Sequence, residues 1–227
     1  MKRIIVLLAS IVVFSATTFA QNLQVHYNLG KANDGVQHKR IGYLTTTLEM
    51  FKTDSLGYTF FFVDMDYKAT NGMSFAYGEI VRAFNIPKVK FMKLELSYNG
   101  GTGIPKNTWL AGPVFPFIRG KKYFSISLYY RMEKFQQTSN GQITAVWIMP
   151  MLNGKLKFDG FFDVWSRDNF VEGTNGMKML TFLTEPQLWY NLNDHIALGG
   201  EVELSYNFFT FDKKIAAMPT VAVKWNF

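Results

Sequence analysis

The chain has 227 residues and no cysteine, with 22 Phe, 11 Tyr and 5 Trp interleaved with charges. Without cysteine there is neither a disulfide framework nor a thiolate metal site, and the length suits a single domain. The formal charge of +7, falling to +5 if Lys2 and Arg3 are removed with a leader, is spread along the chain; nucleic-acid binding is therefore not expected.

Lys2 and Arg3 precede an apolar run, Ile4 to Phe14, and a small-residue stretch ending Thr18-Phe19-Ala20. That is the order of a secretory signal peptide, expected to be cut between Ala20 and Gln21, leaving 21–227 as one domain. The run is shorter than the about 20 apolar residues of a bilayer helix. No second run approaches that length, which excludes helical spans but not strands with alternate residues apolar.

From Leu23 onward the hydrophobic period is two, the signature of strands. Leu23, Val25, Tyr27 and Leu29 alternate with Gln24, His26 and Asn28. Leu44, Thr46, Leu48 and Met50 alternate with Tyr43, Thr45, Thr47 and Glu49. A turn is expected at Lys52-Thr53-Asp54-Ser55, then Phe61, Val63, Met65 and Tyr67 set against Phe60, Phe62, Asp64 and Asp66. Met92 to Tyr98, Phe124 to Met132, Leu156 to Val164 and Ile196 to Tyr206 continue the alternation. Less regular strands are expected at Ser74–Phe84, Thr108–Ile118, Gln142–Met151 and Lys178–Tyr190. At Ser74–Phe84, Glu79 and Arg82 have opposite parity, so either one is exposed or a bulge intervenes. Lys52–Gly57 and Asn153-Gly154 read as short turns; Lys31–Lys39, Asn99–Asn107 and Asn169–Met177 read as longer loops.

A soluble sandwich also alternates, but its outer polar face favours Lys, Glu, Ser and Thr in short strands. Here the strands are long, carboxylates and arginines mix with aromatics on the polar face, and Tyr and Trp sit near strand ends on the apolar face, as in an interfacial girdle. The last strand alternates Val221, Val223, Trp225 and Phe227 against Ala222, Lys224 and Asn226. It resembles the C-terminal sorting signal read by the barrel-assembly machinery. The expected fold is all-β: an up-and-down antiparallel transmembrane β-barrel of about twelve strands, in the outer membrane of a Gram-negative bacterium. An even strand number would put both termini in the periplasm, beside the short turns.

Thr45-Thr46-Thr47-Leu48-Glu49, Phe60-Phe61-Phe62-Val63-Asp64-Met65-Asp66-Tyr67 and Ala76-Tyr77-Gly78-Glu79-Ile80-Val81-Arg82-Ala83-Phe84 follow one another in the first half. Together they resemble the nucleoside-specific channel-forming proteins of the Tsx type. Phe161-Phe162-Asp163-Val164-Trp165 and Glu185-Pro186-Gln187-Leu188-Trp189 look similar to that family's second half. The resemblance implies a monomeric twelve-stranded outer-membrane barrel, with trimmed extracellular loops and a narrow lumen that passes nucleosides.

A nucleoside offers a flat base for stacking and ribose hydroxyls for hydrogen bonding. On the inward parity, Tyr43, Phe60, Phe62, Tyr129, Phe161 and Trp165 could stack, and Glu49, Asp64, Asp66, Glu79, Arg131, Asp163, Arg167 and Glu185 could hydrogen-bond. Such a path must bind loosely enough to release its solute. The competing reading is that these charges pair with one another and only brace the wall. A membrane-barrel enzyme acting on lipid would need a Ser–His pair with a third orienting residue. The three histidines are His26 and His195, both of lumen parity, and His38 in a loop; none lies in a His-x-Ser arrangement. A surface interaction or purely structural barrel is the remaining class, and short loops lend adhesion no direct support. No cofactor or metal is expected, and Asn99-Gly100-Gly101-Thr102-Gly103 reads as a loop, since no helix or phosphate motif follows it.

Overall fold

In the computed structural model, residues 20–30, 42–68, 72–102, 107–169, 177–208 and 214–227 are described. Residues 1–19, the whole Lys31–Lys39 loop with His38, residues 103–106 of the Asn99–Asn107 loop and 170–176 of the Asn169–Met177 loop lie outside them. Thirteen strand segments run in chain order: β1 (Ala20–Asn28), β2 (Tyr43–Asp54), β3 (Gly57–Lys68), β4 (Gly72–Ile86), β5 (Val89–Gly101), β6 (Thr108–Arg119) and β7 (Lys122–Glu133), then β8 (Asn140–Met151), β9 (Leu156–Asp168), β10 (Lys178–Thr184), β11 (Gln187–Asn191), β12 (Ile196–Tyr206) and β13 (Ile215–Asn226). Each pairs antiparallel with its neighbours, and β1 pairs with β13 to close the ring.

The segments make twelve staves, because β10 and β11 are halves of one. Thr184 faces Phe162 and Gln187 faces Asp159. Two residues lie between these pairs on each side, Glu185 and Pro186 against Gly160 and Phe161, so nothing is inserted at the break. Pro186 interrupts the ladder because it has no N–H. Its carbonyl still accepts from Val202 N at 3.1 Å, and Glu185 N still donates to Phe161 O at 3.2 Å.

The turns Ser55-Leu56, Pro87-Lys88, Gly120-Lys121, Leu152–Lys155 and Leu192–His195 all lie at one end, with the starts of β1 and ends of β13. Phe227 N donates to Gln21 O across that seam at 3.1 Å. The longer connections lie at the opposite end. Two expected loops shrink: Lys52–Asp54 belong to β2 and Asn99–Gly101 to β5. In both places strand pairing outweighs weak local turn chemistry. Asp54 ends β2 by accepting from Leu56 and Gly57 N–H at 2.9 Å, an Asx turn that needs only two residues beyond the strand.

Alternation assigns the faces. Outward Leu94, Leu96, Ile143, Leu180, Leu198 and Val223 are 44 to 58% exposed, an apolar belt with no protein partner. Inward Gln24, His26, Ser97, Thr181, Ser205 and Lys224 are at most 2% exposed. A soluble fold places these groups the other way round, so the belt is made for hydrocarbon. A strand of 12 residues such as β7 extends about 40 Å, or about 30 Å along the axis at a tilt near 40°, which matches a bilayer core. Aromatics frame the belt: Tyr98 and Trp109, with ring centres 4.9 Å apart, toward the long connections, and Phe117 and Phe124, 6.1 Å apart, toward the short turns.

Candidate functional site

The lumen is the one interior the fold creates, and strand parity decides what enters it. Register puts Tyr43, Glu49, Phe60, Phe62, Asp64, Asp66, Glu79, Tyr129, Arg131, Phe161, Asp163, Trp165, Arg167 and Glu185 on the inward face. Glu79 points in and Arg82 out without a bulge between them; Arg82 pairs with Asp54 at 2.6 Å on the short-turn rim. The register shift in this hairpin lies at Asp66/Tyr67. His195 does not face the lumen. It sits in the turn before β12, stacked on outward Trp225 at 6.0 Å, with Nδ1 2.9 Å from the Asn226 carbonyl. Parity fails there because the chain has left the ladder.

The wall divides into a braced part and an open part. Along β1 a row of donors runs one way. Asn22 donates to Glu49 (2.9 Å), Gln24 to Asn22 (2.8 Å), and His26 Nε2 lies 2.9 Å from Gln24 Oε1. His26 Nδ1 lies 2.9 Å from Thr220 Oγ1. At 1% exposure this imidazole ties the β1–β13 seam and is closed to a substrate. On the far wall, Glu133 receives Arg131 and Arg167, each at 2.9 Å. Arg131 also donates to Gln142 and lies 4.8 Å over the Trp165 ring. Phe208 meets the same indole edge-on at 5.7 Å, so Trp165, 4% exposed, has its ring occupied by the protein. Glu95 gathers the hydroxyls of Tyr58, Ser127 and Tyr129. Its neighbour across the strand is Gly112, where a Cβ would run into the Leu128 carbonyl. Lys157 pairs with Asp159 at 2.6 Å, and the Lys224 ammonium lies 3.8 Å over Trp189.

The open part is lined by half-buried residues of β2–β4 on one side and β9–β12 on the other. Phe62 sits between Phe60 (6.0 Å) and Tyr77 (5.7 Å), forming an aromatic strip. Around it stand Asp64, Asp66, Glu79, Asp163, Glu185, Glu201 and Glu203. Glu185 and Glu201 feel the charge of Asp64 across the lumen, and Glu79 that of Asp163. Most of these carboxylates are held by neutral donors from the next strand: Thr47 to Asp64 at 2.6 Å, Thr45 to Asp66 at 2.7 Å, Ser97 to Glu79 at 2.9 Å, Thr144 to Asp163 at 2.5 Å and Gln187 to Glu201 at 2.9 Å. A hydroxyl donor orients a carboxylate without cancelling its charge. The lumen cations named above are meanwhile engaged by Glu133, Asp159 and Trp189, so the open passage is acidic.

Several of these groups are absent from the candidates drawn from the sequence: Glu95, Glu133, Glu201, Glu203, Lys224 and Trp189. Inward parity was legible for all of them but Trp189, which lies in the irregular Lys178–Tyr190 segment, and which inward residues meet one another depends on how the sheet curls. Among the described residues, no three His, Asp or Glu side chains are arranged to hold a metal ion.

No curated protein sequence matches the chain. Its fold is similar to that of the NanC porin, with a TM-score of 0.60 at 12% identity over 92% of this chain and 100% of that one. It is also similar to the KdgM porin, with a TM-score of 0.51 at 8% identity over 91% and 99%. At such identities the likeness concerns the barrel and not its cargo. A family model described as a domain of unknown function, DUF5020, matches residues 20–227, and the chain belongs to that family.

Proposed function

We propose that the protein is an outer-membrane channel for passive diffusion of small polar solutes, admitting cations and neutral hydroxyl-rich solutes, nucleosides among them, in preference to anions. The observation that carries this reading is the half-buried lining of Phe60, Phe62 and Tyr77 beside carboxylates held by neutral hydroxyl and amide donors. Aromatic faces suit a base, carboxylates accept from ribose hydroxyls, and a lumen with more carboxylates than cations raises the barrier to anions. The resemblance of the Phe60–Tyr67 strand and its companions to the nucleoside channels favours nucleosides within that class. The porin-like fold and apolar belt support the membrane placement. A lipid-hydrolysing barrel gains no support from His26, which is sealed in the seam.

Reconstitution in planar bilayers under a salt gradient tests the charge preference. The reversal potential should have the sign of cation selectivity and move toward zero in D64N/E185Q. An anion-selective wild type would sink this part. In liposomes, nucleosides should enter in a saturable manner and faster than sugars of similar size, with saturation weakened in Phe62→Ala. Equal rates for all solutes would leave a general pore.

A further inference from the structure

The acidic lumen has a counterpart outside. The chain is basic overall, and part of that surplus is concentrated in one sector of the short-turn rim, on the adjacent staves β4 to β7. Arg119 of β6 is directly opposite Lys122 of β7. Lys88 is at the tip of the neighbouring β4–β5 hairpin, and Lys90 follows it at the start of β5. Arg119 and Lys122 thus form a pair of cations across one ladder, with Lys121 in their own turn and Lys88 and Lys90 on the neighbouring hairpin. All five are exposed. Among the described residues none of them takes part in an ion pair. The adjoining β2–β3 hairpin differs, since Arg82 is matched there by Asp54.

Like charges directly across a ladder destabilise it, so the Arg119–Lys122 pair is costly unless something outside the protein supplies the anion. Its position says what that is. By strand parity Arg119 and Lys122 face outward, on the same face as Phe117 and Phe124, which lie two residues nearer the midplane and touch at 6.1 Å. Aromatics of that kind mark the boundary of the hydrocarbon, and the next outward level is that of the lipid phosphates. The Pro87-Lys88 tip and the Gly120-Lys121 tip belong to consecutive hairpins at the same end of the barrel.

We propose that Lys88, Arg119 and Lys122, flanked by Lys90 and Lys121, form a binding surface for an anionic glycerophospholipid of the leaflet at the short-turn end, its acyl chains lying along Phe117 and Phe124. Arg119 supplies a planar donor fork to the phosphate and the lysines supply charge. The site rests on the membrane placement above, but not on any transported solute.

Native mass spectrometry of the full barrel in detergent tests it, with phosphatidylglycerol and phosphatidylcholine of identical chains added in turn and inorganic phosphate as a third arm. Phosphatidylglycerol should be retained about tenfold better than phosphatidylcholine, as attraction summed over several cations at an anionic surface implies. R119Q/K122Q should abolish that preference, whereas K68Q/K134Q, which removes the same charge at the opposite end of the barrel, should keep it. The heat-modifiable mobility of a closed barrel verifies folding of each variant. Equal retention of the two lipids, equal loss in both double variants, or occupation by inorganic phosphate with no gain from lipid would overturn the proposal. A barrel that stays in the membrane fraction yet ignores lipid charge would overturn the site and leave the placement standing.

Discussion

Glu133 shows how a single lumen residue acts through the charges it holds. Its side chain is 4% exposed and accepts from two guanidinium groups, so it neutralises part of what Arg131 and Arg167 would otherwise leave buried. Glu133→Gln keeps the shape and removes the charge. Breaking a buried pair costs about 3 kcal/mol or more because the partner is left uncompensated. The barrel should therefore lose its heat-resistant folded form at a markedly lower temperature, read by electrophoretic mobility against temperature. An unchanged transition would mean that lumen water already screens the arginines. The same contacts separate two residues that look alike in sequence. Phe62 and Trp165 are both inward aromatics, but Arg131 and Phe208 cover Trp165 while Phe62 borders the open passage. Trp165→Ala should therefore lower stability, and Phe62→Ala should alter solute saturation.

At the scale of the strand, close approach and closure matter more than side-chain chemistry. Gly112 of β6 faces Glu95 of β5, and a Cβ there would meet the Leu128 carbonyl of β7, which is backbone and cannot swing away. Gly112→Ala should cost about 1–3 kcal/mol, the usual penalty for overpacking, and lower the yield of closed barrel on refolding into detergent. Normal yield would show that the β6–β7 ladder can open there cheaply. The β13 strand closes the ring against β1, and its outward Val221, Val223, Trp225 and Phe227 are the residues proposed to be read by the assembly machinery. Phe227→Ala should reduce barrel levels in cells while leaving refolding into detergent almost unchanged. Equal levels in cells would remove the recognition role. The β10–β11 break makes the opposite point. Pro186 interrupts the ladder, yet the stave keeps register because β12 holds both halves.

For the whole molecule, the asymmetry of the two ends gives a test of orientation. The five described turns share one end with the start of β1 and the end of β13, and the longest connections share the other. In a barrel of this kind the short turns face the periplasm. The chain has no cysteine, so single substitutions report without background. Gln137→Cys, in the connection after β7, should react with a membrane-impermeant maleimide on intact cells; Ser55→Cys should react only after lysis. The reverse pattern would invert the placement and with it the leaflet assigned to the Lys88, Arg119 and Lys122 cluster. What the sequence determined by itself was the alternation. A period of two puts Leu94 and Leu96 on one face and Glu95 and Ser97 on the other, whatever the strands later do, so the all-β class, the inward and outward sets and the approximate number of staves were legible residue by residue. Tertiary structure alone decided which inward residues meet. The hydrogen-bond ladder sets the stagger between neighbouring strands, and curling into a ring brings Asp64 toward Glu185 and Glu201 and places Glu133 between two arginines. Parity is a local property of the chain, whereas contact across a lumen depends on closure, which no single strand encodes.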